Sequence, residues 1–354
     1  MTKLKRCIHV VARTAWRMGS WQVLLALGLY GVVSGVILVA AAYADDVFWI
    51  PDGVGLFQNY GLIFSFFAIP AILLSCRHYA QTILRVTKSH AILNSSVKDH
   101  IKDMIQCLEI SERSRYSVLF YVMIFAGSCF VISNIGIHLF GDSSRHWNSP
   151  VFDSPDHIYS FLSNRVVSTV TWVLIVPYSV YIFVISTIFL RILFQSIGED
   201  ATIHYDLIHP DRSGGMAFAI DASVFFNIII SLFYIFITVF IVTFRGINIE
   251  HVALYVGATL FYILSHGLVF GSVYSVLNEK KQLSLINLKE LTYKGDAHSF
   301  EIYKFFTEVF SATPRKITMP TVMYAARIVL PMIFPLVKII NILPQSESFF
   351  RYLM

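Results

Sequence analysis

Apolar residues in this chain are gathered into long blocks, and the blocks are separated by short polar stretches. Six blocks stand out, at 21–43, 57–76, 117–140, 166–190, 222–244 and 252–277. Each is long enough to cross roughly 30 Å of hydrocarbon as a helix. In lipid the backbone has no water to bond with, so helices satisfying their own N–H and C=O groups are required. A barrel would need segments of alternating polarity, and 225–244 is apolar on nearly all faces. The pattern therefore predicts an all-α, polytopic transmembrane protein of about six spans.

Composition sharpens this reading. Of the 354 residues, 56% are hydrophobic and only 14% charged, against roughly 25% charged in ordinary soluble domains. The net charge of +5 is no nucleic-acid signal here, because the basic residues flank the apolar blocks. Lys3, Lys5, Arg6, Arg13 and Arg17 precede the first block. A second basic group (Arg77, Arg85, Lys88, Lys98, Lys102, Arg113, Arg115) lies between blocks two and three, and a third (Lys280, Lys281, Lys289, Lys294, Lys304, Arg315, Lys316) follows block six. With six spans all three fall on one side, which the positive-inside rule makes cytoplasmic, together with both termini. The first apolar run is too long for a secretory signal and is expected to stay as a membrane helix. Cys7, Cys76, Cys107 and Cys129 have no metal-binding spacing, none faces the oxidising side in this topology, and free thiols are expected.

The expected organisation is a basic cytoplasmic N-terminus (1–20), spans one and two (21–76), a cytoplasmic helical connection (77–116), spans three to six (117–277), a cytoplasmic segment (278–319) and an apolar C-terminal segment (320–354). In the connection, Ser96 and Asp99 suggest a capping box, and Val97, Ile101, Met104, Ile105 and Leu108 recur at helical spacing opposite Lys98, Asp99, Lys102, Asp103 and Glu109. The amphipathic helix so predicted would pack on its neighbours or a second subunit, or lie on the membrane surface. The C-terminal stretch is interrupted by Arg327, Pro331, Pro335 and Lys338, so a re-entrant or interfacial hairpin packed inside the assembly is expected rather than a seventh span.

Two constellations are candidates for chemistry. The first is the loop His209, Pro210, Asp211, Arg212, Ser213, Gly214 and Gly215 before block five. Pro210 holds His209 extended and the glycine pair permits left-handed backbone. Arg212, Ser213 and the glycine N–H groups could bind an anion near the following helix start. His209 and Asp211 could instead join Glu199, Asp200 and Asp206 around a cation, and a plain structural turn is the competing reading. It is not a phosphate-binding P-loop, since no Gly-Lys-Ser/Thr ending follows.

The second constellation lies inside the spans. Ser223, Asn227, Ser231, Tyr234 and Thr238 share one helical face in block five, while Thr259, Tyr262 and His266 recur in block six. Block four offers Ser168, Thr171, Ser179 and Ser186, and block three ends with Asn134 and His138. Such residues either line a hydrated path or join helices by hydrogen bonds, at about 0.6 kcal/mol each. His266 is the most deeply placed titratable group, and a neutral imidazole bonded to Tyr262 or a carbonyl is its bland reading. Pro70 and Pro177 are candidate kink sites.

The segment IHPDRSGGMAF, followed by an apolar span, resembles the LHPDxxGGL-type signature of a family of uncharacterised bacterial multi-pass membrane proteins. The Ser-Phe-Glu element at 299–301 and the LPMIFPL run at 330–336 are similar to the same family's ending. Met216 stands where leucine is usual, and one extra residue separates the prolines of the last run. The resemblance implies an integral membrane protein with a shared C-terminal architecture, and supplies no substrate or reaction.

The expected setting is a bacterial-type inner (plasma) membrane. The expected function is a regulated homo-oligomeric pore or permeation path in contact with membrane lipid. Its cytoplasmic face, with the His-Pro-Asp loop, would do the sensing. No catalytic residue, cofactor, metal or nucleic-acid partner is assigned, because zinc-helix, nucleophile-turn and dinucleotide motifs are all missing. One alternative is a non-conducting scaffold or effector that recruits a cytosolic protein partner. Another is a membrane enzyme in which His209, Asp211 and a third polar group converge.

Overall fold

The computed structural model describes residues 10, 13–14, 16–50, 55–88, 95–110, 116–140, 156–199, 217–243, 249–293, 301 and 304. Among these residues there are eight α-helices and no strand: α1 (Ser20–Ala44), α2 (Tyr60–Leu84), α3 (Ser95–Leu108), α4 (Ser117–Phe140), α5 (Ile158–Val170), α6 (Val176–Glu199), α7 (Ala217–Thr243) and α8 (Ile249–Tyr293). Among the described residues, four segments are long and apolar enough to cross a membrane: Trp21–Ala44, Leu62–Leu84, Ile158–Glu199 and Asp221–Val239. The apolar blocks at 117–140 and 252–277 are helical too.

Several helices run past the ends of their apolar blocks. Helix α2 continues to Leu84, which carries Arg77 into the helix, and the helical segment that holds the fourth apolar block (166–190) already begins at Ile158. Helix α8 is 45 residues long and passes Leu277 without a break. Hydrogen bonding within a helix does not stop where hydrophobicity stops, so the polar flanks simply prolong the rods.

Helices α2, α6 and α7 form the centre. Tyr79, Phe183 and Phe226 meet there, with ring centroids 5.3 to 6.1 Å apart. Phe120 of α4 packs on Tyr181 of α6 at 5.3 Å, and Phe194 of α6 on Phe218 of α7 at 6.0 Å. Lipid tails are as apolar as leucine, so in a membrane these contacts stabilise through dispersion and shape rather than expulsion of water. Large interlocking rings supply that surface.

Helix α3 matches the amphipathic helix expected from the sequence. Ile101, Met104, Cys107 and Leu108 are buried, while Lys98, Asp99 and Lys102 are exposed. Ile105 lies on the open side, and Cys107 takes the inward place the pattern assigned to it. The helix packs on α6, where the Tyr181 hydroxyl donates to the Cys107 carbonyl oxygen at 2.7 Å. Ile110, just beyond, has a φ of 50°, which costs a β-branched residue about 1–2 kcal/mol. Its side chain is fully buried in the core, and that burial holds the turn. Tyr181→Phe is expected to cost about 1 kcal/mol and to speed hydrogen exchange across α3 more than across α2; equal change in both helices would sink this account of the docking.

The opposite end of the bundle is closed by the α1–α2 connection. Val47 N–H donates to Ala42 O at 2.9 Å, and Leu56 N–H to Val47 O at 3.0 Å. The Gln58 amide oxygen accepts from Ile50 N–H at 3.0 Å and Gly55 N–H at 2.7 Å. Position 55 requires glycine, because a Cβ there would collide with the Phe48 backbone. Asp45 accepts from Ser160 N–H at 2.6 Å, capping α5 with a carboxylate where its dipole is positive. Exposed Tyr43, Trp49 and Phe57 surround this loop, as aromatic side chains do at a membrane interface.

Candidate functional site

The polar face of α7 is turned into the protein. Ser223, Tyr234 and Thr238 are buried, and Asn227 and Ser231 are half-buried. In the middle of the row, side chains pair with α8. Ser231 Oγ lies 3.3 Å from the Tyr262 hydroxyl, and the Tyr234 hydroxyl 3.1 Å from Thr259 Oγ1. The Tyr234 and Tyr262 rings stack at 4.8 Å, and Tyr255 stands 6.2 Å from Tyr234. Spacing explains the match. Residues 227, 231, 234 and 238 and residues 255, 259 and 262 both advance by three or four, so each set forms one stripe and the stripes face each other.

The residues that flank this paired centre on α7 differ from it. Asn227 Oδ1 and Thr238 Oγ1 are shielded from solvent and have no hydrogen-bond partner among the described residues. A buried amide oxygen or hydroxyl left unbonded costs about 1–3 kcal/mol, so such atoms in a native protein commonly hold water or a ligand. The middle of the seam is therefore closed by tyrosines, with an unsatisfied polar atom one turn to either side.

His266 lies in α8, one turn beyond Tyr262, and its side chain is outside the described residues, as are those of Asn134 and His138. His209, Asp211, Arg212, Ser213, Gly214 and Gly215, and the C-terminal segment 320–354, also lie outside them. In the fourth apolar segment, Thr171 donates to Val167 O at 2.9 Å and Ser179 to Ile175 O at 2.8 Å. Both hydroxyls bond to their own helix, and Thr171 Oγ1 also meets the Tyr30 hydroxyl of α1. Ser186 Oγ is fully buried with no hydrogen-bond partner among the described residues. Sequence reasoning missed Tyr255, although its place one turn before Thr259 marks it as a member of the α8 stripe.

Among the described residues no three His, Cys, Asp or Glu side chains cluster as metal ligands would. Cys76, Cys107 and Cys129 are free thiols. The basic residues at the α3 end act as ties. Arg17 pairs with Glu109 at 2.9 Å, Arg85 with Asp221 at 3.6 Å, and the buried Arg77 donates to Met18 O at 2.6 Å. Lys281, half-buried where α8 leaves its apolar stretch, has its pKa lowered by that burial. The α7–α8 seam offers hydroxyls and an amide, with no charge among its described side chains. Such a lining solvates water or a weakly held solute and does not supply a nucleophile with its base. No family model matches the chain, and searches of curated proteins and of solved structures find no match either.

Proposed function

We propose that this protein is a homo-oligomeric inner-membrane protein with six crossings and both termini in the cytoplasm, and that it forms a regulated permeation path along the α7–α8 seam. The observation that carries the reading is the pair of unsatisfied polar atoms, Asn227 Oδ1 and Thr238 Oγ1, on either side of the stacked Tyr234 and Tyr262. Polar atoms need hydration, and an aromatic constriction between them is a gate. In this reading the loop at 209–215, just ahead of α7 in sequence, senses an anionic ligand and biases that helix. Its likeness to the LHPDxxGGL-type signature supports membership in that family of membrane proteins.

In proteoliposomes, the Tyr234→Ala/Tyr262→Ala double variant is expected to raise ion or small-solute flux at least about tenfold over the parent protein. A folded double variant that passes nothing under any voltage or added ligand would defeat the proposal. The hydrogen-bonded centre of the seam favours one other reading, a non-conducting effector whose basic end recruits a cytosolic partner. A stoichiometric partner retained through purification, with no flux from either protein, would select it.

A further inference from the structure

The fourth apolar segment is one 42-residue helical rod, Ile158–Glu199, with a π turn at Thr171–Ile175. Val176 N–H donates to Thr171 O, five residues back rather than four. The next residue is Pro177, which has no N–H to give Trp172 O in the same register. The backbone ladder is thinned where the register changes, and that is where sharp bends in helices originate.

This joint sits between two separate groups of packed side chains. On the α6 side, Tyr178, Tyr181 and Ile182 belong to the main core. On the α5 side, Val167 belongs to a second, smaller cluster with Leu38, Ala42, Val47 and Leu56. Two other helices pass between the same clusters, and each carries a weak point between them. In α1, Leu27 packs in the main core and Tyr30 and Leu38 with the second cluster, with Gly28 at the boundary and Gly31 and Gly35 just beyond it. In α2, Phe66 packs on the second cluster and Ile72 in the main core, with Pro70 between. The Tyr30 hydroxyl meets Thr171 Oγ1, which sets the α1 boundary level with the π turn.

We infer that these three weak points form one hinge plane, about which the outer module rocks as a unit against the main bundle. The module comprises the end of α1, residues 45–50 and 55–59 of the connection, the first turns of α2, and α5. Asp45 capping α5 ties its parts together, and α4, which packs on α5, the π turn and α6, runs alongside the plane with Gly127 at the level of Trp172. Three rods that yield at one level give shear or rotation of a rigid cap. The inference stands on packing and backbone register, and holds whether or not the α7–α8 seam conducts.

The test is a pair of spin-label distances on full-length protein in lipid nanodiscs, with Cys7 and Cys129 replaced by serine. Trp49→Cys with Lys102→Cys spans the plane; Lys102→Cys with Arg191→Cys does not, and all three positions are exposed. The cross-plane pair is expected to give the broader distance distribution. Gly28→Ala/Gly31→Ala/Gly35→Ala should reduce its width to about half, leaving the control pair unchanged. A Cβ at each of these glycines meets nothing within 4 Å, so this variant folds, and it carries the test alone if Pro70→Ala or Pro177→Ala does not. Equal widths for the two pairs, or no narrowing in the folded alanine variant, would overturn the hinge.

Discussion

Gly127→Val is expected to produce the largest loss of stability of any single substitution in the helical core, seen as a collapse of the thermal transition in detergent and loss of monodisperse elution. A Cβ built on Gly127 of α4 would collide with the carbonyl oxygen of Trp172, and would come within 3.1 Å of the Trp172 carbonyl carbon and 3.5 Å of Pro177 Cγ. The obstacle is backbone, so no rotamer change relieves it. Helix α4 would have to move away from the π turn, pulling Phe130 from the Trp172 ring 4.9 Å away. Overpacking of this kind costs about 1–3 kcal/mol where side chains can yield, and here they cannot. Gly257→Ala is the contrast, since its Cβ would meet nothing within 4 Å and replacing a helical glycine with alanine gains roughly 0.5–1 kcal/mol. If the valine variant melts with the parent protein, α4 and the π turn do not approach as described.

The α4 contact also shows where reading the sequence stops. Long apolar blocks are visible to inspection because hydrocarbon thickness sets a length that composition must meet. The amphipathic face of α3 was legible for the same reason, as a period of hydrophobicity, with Cys107 rather than Ile105 completing it. The polar stripe of α7 could be drawn as well. That it is zipped to Tyr262 and Thr259 depends on which helix becomes its neighbour, and no local pattern encodes that. The π turn left no signal of its own, since Thr171–Ile175 is as apolar as any regular stretch of helix; only Pro177 hinted at it. Charge misleads at helix ends. Arg77 reads as a topology signal beside the other basic residues, yet the chain uses it to fasten one segment to another.

That fastening leads to the second large effect. Arg77 is 2% exposed and its guanidinium donates to the carbonyl oxygens of Met18 at 2.6 Å and Trp16 at 3.4 Å, with its carbon 5.6 Å from the Trp16 ring centre. Those carbonyls close the short helical stretch before α1, where backbone acceptors lack intrahelical donors and a cation is favoured. Hydrogen bonds from a charged group contribute about 1.5–3 kcal/mol each when buried, so Arg77→Ala should free residues 13–19 from the bundle. Lysine cannot reproduce the planar fork or the stacking on Trp16, and Arg77→Lys should rescue little. Limited trypsin digestion reads the release directly, because Arg13 and Arg17 lie in the freed segment and cleavage follows the population of the open form. Arg77→Ala is expected to speed cleavage there at least about tenfold, which corresponds to roughly 1.4 kcal/mol. Glu109→Gln removes only the Arg17 pair, whose arginine is 64% exposed, and exposed pairs contribute about 0–1 kcal/mol, so its cleavage should rise less than that of Arg77→Ala. An Arg77→Ala protein cut no faster than the parent would mean that the segment is held by something other than this guanidinium, and that the buried charge is incidental to the N-terminal anchor.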